Sequence, residues 1–514
     1  MKKYIHIIII VFISIIIINY ALYLFTMRIY DFSVGNSDLS IDKISWNLSN
    51  DGDYYLLLSK NMNRSNLFVN LKFNYDGASI ICYDLKGKKL GKIEDSSYTD
   101  VFSNDDVIMK VKKKNRFTQS YKVHVIQSSI SSLFIQVKGG DESFNDIVSS
   151  RYHTVGYKAD GLLYDEDNNK SELTIKRVRG RGNSTWLRPK KPYQIKLYED
   201  TSLLGMKDAR KWVLLANHWD GSLSRNYLWY TLAKKLGLEY SVDCEPVDLY
   251  INNNYMGSYL LTNRVEVSNS SVDIGDNYLY EITNTMTYDI QLKHGYKLKV
   301  KNINFKRIDK EYGLSIKKDL TKSLNKIEKL IYDKNVSIEE LGEYIDIESF
   351  VKCYWIQEIS ENYDVSRGSN YFYTKDGKIY MGPIWDMDDT LNRSYDYAKI
   401  DEKYILTDEL LKTRILENWY NELLKKEDFS NLIDNYFIDN YDIFNSLNEE
   451  LDNYHSKIKN SANMNYIKWP YDEMKSEQIR EWIKDDVDFS SSMELLKKSL
   501  RGRIEFYKNV YSIE

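Results

Sequence analysis

A predicted β-hairpin with acidic residues at both ends organises the sequence from 361 to 389. Residues 370–374 (NYFYT) and 378–384 (KIYMGPI) are rich in aromatic and β-branched side chains, which favour strands. Lys375, Asp376 and Gly377 lie between them as a turn, in which the glycine supplies a positive φ. Because two antiparallel strands return the chain to its starting end, we expect the residues that flank this hairpin to meet.

Three polar residues flank the predicted hairpin. Asp364 precedes the first strand, Asn370 begins it, and Asp386 follows the second strand. Oxygen ligands of this kind suit Mg²⁺, and an Asp, an Asn and a second Asp divide the roles of base and metal ligand in phosphoryl transfer. The alternative is that Asp364 caps a turn and that the acids at 386, 388 and 389 are solvated loop residues.

A basic segment with two glycines at 175–197 (IKRVRGRGNSTWLRPKKPYQIKL) is the second candidate site. Gly180 and Gly182 permit close approach to the backbone, and backbone amides together with point charges can hold phosphate. The segment contains neither GxxxxGK[ST] nor GxGxxG. The alternative is a surface hairpin with a basic rim. The cations available in the segment include Arg179, Arg181, Lys190, Lys191 and Lys196.

The N-terminal residues 5–25 form an apolar run that follows Lys2 and Lys3. A run of about twenty apolar residues is long enough to cross a bilayer as a helix. We expect residues 1–27 to be an uncleaved anchor, with the N-terminus in the cytoplasm and the bulk outside it. A cleaved signal peptide is the alternative, but no small-residue cleavage site follows the run.

Composition excludes several classes of protein. The 514 residues carry a formal net charge of -4, so we expect no nucleic-acid partner. Cys82, Cys244 and Cys353 are scattered and lack paired spacing, which argues against a disulfide framework and a structural zinc site.

Strand and helix patterns divide the remaining chain in two. Residues 28–130 contain short alternating segments separated by turns, which predict a small β-sandwich that serves as a spacer or binding module. Residues 131–514 begin with strands and end in amphipathic helices, which predicts an α+β domain. The predicted helices include residues 222–236, 320–332, 338–359, 408–425, 429–455, 476–485 and 492–510.

Five blocks of the chain, in order, resemble the spore-coat CotH kinase family. They are the segment at 175–186 with the following KKPYQIK, residues 203–217 (LLGMKDARKWVLLAN), residues 220–226, residues 247–262 (VDLYINNNYMGSYLLT), and the stretch NYD…SNYFY…GPIWDMD. The resemblance extends from about residue 132 to residues 499–507, roughly three quarters of the chain.

The resemblance implies an atypical protein-kinase-like fold that transfers the γ-phosphoryl group of ATP to Ser or Thr of coat or surface proteins, with Mg²⁺ or Mn²⁺. On matching positions, Asp364 would orient or deprotonate the acceptor hydroxyl, and Asp386 with Asn370 would bind metal. Nucleotide contacts would come from Arg181, Lys191, Lys196, Gly180 and Gly182. The resemblance therefore predicts a spore-associated kinase whose partners are a nucleotide and a protein substrate, and the N-terminal run predicts that this kinase is anchored in a membrane.

Two other functions stay open at this point. The first is an inactive kinase-like surface protein that binds a partner through its cleft and its β module. The second is a metal-dependent hydrolase that uses the same carboxylates, although such enzymes usually gather His or additional acids around two metals. Because Asp364, Asn370 and Asp386 are all present, the sequence favours the kinase.

Overall fold

The computed structural model describes residues 11–18, 26–74, 76–113, 118–362, 368–391, 419–474 and 487–513. Asp364 and the predicted helix at 476–485 lie outside these ranges, as does most of the predicted helix at 408–425. Of the N-terminal apolar run, residues 11–18 are described, and they are helical. Across the described ranges, no helix is both long enough and apolar enough to cross a membrane.

Two β-sheets with one shared core form the N-terminal module. In strand β5, every second residue, Leu67, Val69 and Leu71, is buried in this core, and the residues between them are more exposed. This alternation is typical of a strand with one face against a core. The first sheet has the order β2-β1-β5-β8 and the second the order β3-β4-β10-β9-β6-β7, in which β4 and β10 are parallel. The strands are β1 (Ile29–Gly35), β2 (Ile44–Ser45), β3 (Asn47–Leu48), β4 (Tyr54–Leu58), β5 (Leu67–Phe73), β6 (Ser79–Tyr83), β7 (Lys89–Ile93), β8 (Ser97–Thr99), β9 (Asp106–Lys112) and β10 (Gln119–Gln127).

A closed barrel follows the β module. Its strands are β11 (Ser131–Val137), β12 (Gly156–Tyr164), β13 (Lys170–Gly180), β14 (Tyr193–Thr201), β15 (Ala209–Leu215), β16 (Cys244–Ile251) and β17 (Asn254–Asn263). The order around the barrel is β11-β12-β13-β14-β15-β17-β16, and the parallel pairing of β11 with β16 closes it. Val178 of β13, Ile195 of β14 and Trp212 of β15 point into the barrel core. The residues next to them on their strands therefore point outward. Helix α1 (Gly140–Ser149) and helix α2 (Arg225–Lys235) lie in the connections between barrel strands.

The C-terminal part combines a five-stranded sheet with helices, and the α+β prediction is therefore confirmed. The sheet has the order β19-β20-β18-β21-β22 and consists of β18 (Leu279–Thr283), β19 (Ile290–Gln291), β20 (Lys297–Val300), β21 (Asn370–Lys375) and β22 (Lys378–Met381). The helices are α3 (Lys310–Tyr332), α4 (Ile338–Leu341), α5 (Ile347–Ser360), α6 (Trp419–Leu423), α7 (Glu427–Asp439), α8 (Tyr441–Lys468), α9 (Tyr471–Met474) and α10 (Phe489–Val510).

Helix α8 connects the three parts of the chain. Its Met464 is buried in the core of the β module, and its Asn465 side chain accepts a hydrogen bond from the Ser258 amide of barrel strand β17 at 3.1 Å. Nearer the beginning of the helix, Phe444 and Leu447 are buried in the C-terminal core. The helix therefore fixes the β module and the barrel against the C-terminal part.

Candidate active site

The two ends of the predicted hairpin meet, as the sequence requires. Thr374 is paired with Ile379, and the turn between β21 and β22 has positive φ at Asp376 (51°) and Gly377 (78°). Ser369, immediately before β21, donates a hydrogen bond from Oγ to Oδ2 of Asp386 at 2.9 Å. Asn370 is the first residue of β21 and lies next to this contact. Asp386 and Asn370 are thus placed at one mouth, while Asp364 lies outside the described residues.

Helix α2 holds the segment 385–391, which carries Asp386. The Asn226 side chain accepts a hydrogen bond from the Met387 amide at 2.8 Å. Arg225 Nε donates to the Thr390 carbonyl oxygen at 2.8 Å, and Trp229 Nε1 donates to Thr390 Oγ1 at 2.8 Å. The carboxylate of Asp386 remains exposed at the surface of this anchored segment.

Asp220 in turn fixes the beginning of helix α2. Its carboxylate accepts hydrogen bonds from the amides of Ser222 (3.0 Å), Ser224 (2.8 Å) and Arg225 (2.7 Å), and it forms a fully buried ion pair with the Arg225 guanidinium. The sequence marks residues 220–226 only as a block that resembles the family and does not predict this role of Asp220. The available signal was the run DGSLSRN, which leads into the helix, because Asp and Ser side chains often accept hydrogen bonds from the free amides around a helix start.

Arg181 is the predicted phosphate-binding residue that the structure brings to Asp386. The guanidinium of this half-buried side chain lies 5.6 Å from the centre of the Trp385 ring, one residue before Asp386. Burial lowers the pKa of Arg181, and the nearby carboxylate of Asp386 opposes that effect. The basic segment and the acidic end of the hairpin therefore lie next to each other, and we refer to the space between them as the cleft.

The other predicted phosphate contacts have different positions. Lys191 Nζ donates to the carbonyl oxygens of Trp186 (2.6 Å) and Arg188 (3.2 Å) and so closes its own loop. Lys196 lies on the outward face of β14, between Arg177 and Lys211 on the adjacent strands.

The two glycines of the basic segment have local structural reasons. A Cβ on Gly180 would lie 2.1 Å from the Trp186 ring, so this glycine makes room for the tryptophan. Gly182 has φ of +90°, and a Cβ there would meet Thr185 Oγ1 at 2.6 Å. A side chain at either position would displace the loop that places Arg181.

Two further arginines, Arg179 and Arg264, lie near Arg181, and Arg264 is not among the cations that the sequence predicted for the site. Burial lowers the pKa of Arg179, and the neighbouring charges of Arg177, Arg264 and Arg181 lower it further. Arg264, at the end of strand β17, lies 3.7 Å from Glu266. Mutual repulsion among these guanidinium groups makes their side of the cleft favourable for an anion.

The opposite side of the cleft carries acids. Asp388 is in a desolvated position, and its pKa is raised by burial and by the nearby carboxylates of Asp386, Asp389 and Asp220. Glu281 on β18 forms an ion pair with Lys301, and the Lys301 ammonium lies 5.7 Å from the ring centre of Tyr371. Glu281 is therefore already paired with a cation.

The acidic side has the oxygen chemistry that a divalent cation requires. Among the described residues, no group of three or more His, Cys, Asp and Glu side chains is arranged to hold a metal ion. Mg²⁺ is usually bound by only one or two carboxylates, with water and phosphate completing its shell. The raised pKa of Asp388 fits such a cation, because a positive charge nearby would favour the ionised form of this carboxylate.

Comparison with known proteins assigns the family. The family model of the CotH kinase protein matches residues 178–489, more than half of the chain, and the chain belongs to this family. The matched range includes the basic segment from residue 178 onward, helix α2 and the hairpin with Asp386. No curated protein sequence matches the chain.

Two solved structures show only remote likeness. One is assigned as a glycoside hydrolase from Bacteroides thetaiotaomicron VPI-5482; it has 12% identity and a TM-score of 0.15, and the match covers 57% of this chain and 87% of that one. The other is the Bacteroides ovatus SGBP-B protein of a mixed-linkage glucan utilization locus, in complex with a mixed-linkage heptasaccharide. It has 10% identity and a TM-score of 0.11, with 51% and 84% of the two chains covered. These TM-scores lie far below the level of a shared fold, so neither structure informs the fold or function of this chain.

Proposed function

We propose that this CotH-family protein is a protein Ser/Thr kinase that transfers the γ-phosphoryl group of ATP to a coat or surface protein, with Mg²⁺ or Mn²⁺. The observation that carries the proposal is the position of Arg181, which faces the Asp386 region across one cleft. A phosphate group between them would meet cations on the barrel side and a metal-binding acid on the hairpin side. This is the charge arrangement that phosphoryl transfer needs.

The barrel side of the cleft would hold the phosphates. Arg181, Arg179 and Arg264 supply guanidinium groups, which bind phosphate oxygens in pairs of hydrogen bonds. Lys191 and Lys196 are replaced in this role by Arg179 and Arg264, because Lys191 is engaged by its own loop and Lys196 lies farther along the outer face of the barrel.

The hairpin side would hold the metal and the acceptor. Asp386, with Asn370 and Asp388, would bind the cation, which when present neutralises phosphate charge. Asp364 would accept the proton of the acceptor hydroxyl as its oxygen bonds to the γ-phosphorus. The bond from that phosphorus to the bridging oxygen breaks, and ADP leaves. Helix α2 would keep Asp386 in place through Asn226 and Arg225.

The proposed cellular location depends on the proposed function and on the apolar run at residues 5–25. We propose a single-pass protein, with the N-terminus in the cytoplasm and the catalytic part outside it. The acceptor would then be a coat or surface protein, and the compartment would have to contain nucleotide.

Transfer of labelled γ-phosphate by the full-length protein tests the proposed function. Asp386→Asn and Asp364→Asn should each lower transfer by at least about a hundredfold, the scale expected when a charged group is removed from the reacting centre. Asp376→Asn is the matched control, because it makes the same change at the far, exposed turn of the same hairpin. Absence of transfer, together with absence of metal-dependent nucleotide binding, would refute the kinase and favour the kinase-like binding protein.

A further inference from the structure

Four cationic residues form one row across four adjacent strands of the barrel. Strand register pairs Arg177 of β13 with Lys196 of β14, and Lys196 with Lys211 of β15. Arg264, at the end of β17, continues the row, because its amide donates to the Lys211 carbonyl oxygen at 3.2 Å. Neighbouring strands lie about 4.8 Å apart, so the row extends over roughly 14 Å. We refer to these four residues as the basic row.

All four side chains are directed to the outside of the barrel. Val178, Ile195 and Trp212, the adjacent residues on their strands, are buried in the barrel core. Because side chains alternate between the two faces of a strand, the basic row shares the opposite face. Arg177 is exposed; its guanidinium donates one hydrogen bond, to the Thr154 carbonyl oxygen, and its other N–H groups remain for a ligand. The other three side chains are half-buried.

The row carries more positive charge than its surroundings neutralise. Glu266 is paired with both Lys211 (2.6 Å) and Arg264 (3.7 Å). Within the described part of the chain, no carboxylate forms an ion pair with Arg177 or Lys196. The whole chain has a net charge of -4, so this concentration of cations is local and does not reflect composition.

The row is continuous with the candidate active site. Arg179 and Arg181 lie two and four residues beyond Arg177 on the same strand and its extension, and Arg181 faces the Asp386 region. Two residues of a strand advance about 6.6 Å, so Arg177 lies roughly 13 Å from Arg181 along the strand. Arg177 and Lys196 are therefore too far along the face to share the phosphates that Arg181 would hold.

We propose that the outer half of the basic row, Arg177 and Lys196, binds an acidic stretch of the acceptor protein beside the hydroxyl to be phosphorylated. This inference rests on the proposed function, and it names the class of acceptor: Ser or Thr next to Asp, Glu or phosphorylated residues. Guanidinium and ammonium groups recognise carboxylate and phosphate alike, and the row would repel a basic acceptor.

Peptide binding tests this surface without any need for catalysis. The probe is a fluorescent peptide with Ala at the acceptor position and several Asp residues beside it; matched peptides carry phosphoserine, Asn or Lys in place of Asp. Full-length protein should bind the Asp and phosphoserine peptides at least tenfold more tightly than the Asn peptide. The preference should weaken as salt rises, because exposed charges are screened.

Charge reversal locates the binding to the row. The double variant Arg177→Glu, Lys196→Glu should lose the tenfold preference, while Lys207→Glu, at an exposed lysine of the loop before β15, should retain it. Both substitutions in the row are at outward positions, and circular dichroism and unfolding midpoints will show whether the variants fold. Equal binding of the Asp and Asn peptides, or an unchanged preference in the double variant, would overturn the proposal.

The same peptides with Ser at the acceptor position separate this proposal from the proposed function. In the double variant, transfer to the acidic peptide should fall about tenfold while transfer to the Asn peptide and the KM for ATP stay unchanged. Transfer that shows no preference for the acidic peptide would refute the acceptor class and leave the kinase standing. Selective binding of the acidic peptide without transfer to any peptide would refute the kinase and leave the surface as an acidic-ligand site.

Discussion

Lys190 and Lys191 are adjacent lysines with different environments. Lys190 is buried: its ammonium donates to the Ser258 carbonyl oxygen at 2.5 Å and lies 4.9 Å from the ring centre of Tyr259. Burial lowers its pKa to about 7, against the opposing charges of Asp248 and Asp220. Lys190 is therefore a structural residue of the barrel whose ionisation changes near neutral pH.

The buried position of Lys190 predicts a pH dependence of stability. In the unfolded chain its pKa is near 10.5 and in the folded protein near 7, so the unfolded chain binds more protons between these values. The free energy of unfolding should thus receive a contribution that increases as pH rises from about 7 to 9. Lys190→Met should remove this contribution, as measured by urea unfolding at several pH values.

Comparison with a second lysine isolates the effect. Lys207→Met, at an exposed lysine, should leave the pH profile of unfolding unchanged. Taking the difference between wild type and variant cancels the groups that both proteins share. Parallel profiles for the wild type and Lys190→Met would contradict the prediction.

The sequence predicted which segments form the site, but it did not predict which cations of the basic segment lie near Asp386. The spacing of residues around the hairpin was sufficient to place Asp386 near Asn370, because a two-strand hairpin is determined locally. The roles of Lys190 and Lys191 depend on which carbonyl groups surround each of them. Those groups come from Ser258 for one lysine and from the loop at 186–188 for the other. Arg264 follows Arg181 by some eighty residues, so only the folding of the barrel could bring it near Arg181.

At the scale of elements, the start of helix α2 determines the position of the Asp386 segment. Asp220→Asn removes the negative partner of the buried Arg225 and weakens the acceptors of three amides. Breaking a buried ion pair typically costs about 3–5 kcal/mol, and we expect a loss of this size in the free energy of unfolding. Asp243→Asn is the control, since its partner Lys234 is 69% exposed and the pair should be worth at most about 1 kcal/mol.

Activity gives the second measurement for helix α2. Where Asp220→Asn protein is still folded, transfer should fall, because Arg225 also holds the carbonyl groups of Thr390 and Leu391. Equal losses of stability in Asp220→Asn and Asp243→Asn would show that the buried pair is not the anchor.

Helix α10 has a comparable role at the end of helix α5. Arg503 donates to the Glu358 carboxylate at 3.0 Å and lies 3.4 Å from the Glu361 carboxylate, and all three side chains are buried. Glu361 directly follows the last residue of α5 and comes three residues before Asp364 in the sequence. Arg503→Met should therefore lower the free energy of unfolding by about 3–5 kcal/mol. Arg501→Met, at an exposed position of the same helix, should change it by less than about 1 kcal/mol; a similar loss in both variants would contradict the prediction.

Local sequence patterns predicted which segments are helices and strands, but they did not predict all helix boundaries or which strands pair. The short alternating segments predicted within residues 28–130 include strands β4, β5 and β6 of the structure. The single helix predicted at 338–359 is two helices, α4 and α5, and the one predicted at 429–455 is divided at Asn440 into α7 and α8. In both cases the apolar spacing continues through the break. The closed barrel could not be predicted, because it depends on the pairing of β11 with β16, more than a hundred residues away.

At the scale of the whole molecule, the β module and the barrel share a core. Phe134 and Tyr250, on the outer face of the barrel, stack with ring centres 4.6 Å apart and are buried in the core of the β module. The Tyr250 hydroxyl donates to the Leu57 carbonyl oxygen at 3.1 Å. Met464 of helix α8 enters the same core. Apolar surface shared in this way couples the stability of the two parts.

The shared core predicts that the β module and the barrel unfold together. Full-length protein in urea should show one transition, with the same midpoint by tryptophan fluorescence and by far-ultraviolet circular dichroism. A chain that begins at Ser129 exposes Phe134, Tyr250 and Met464, so it should bind a hydrophobic dye and unfold at lower urea. Two separated transitions in the full-length protein, or an unchanged midpoint in the shortened chain, would show that the β module is an independent unit. In that case the contact through Tyr250 would be a docking surface between two folded parts instead of a common core.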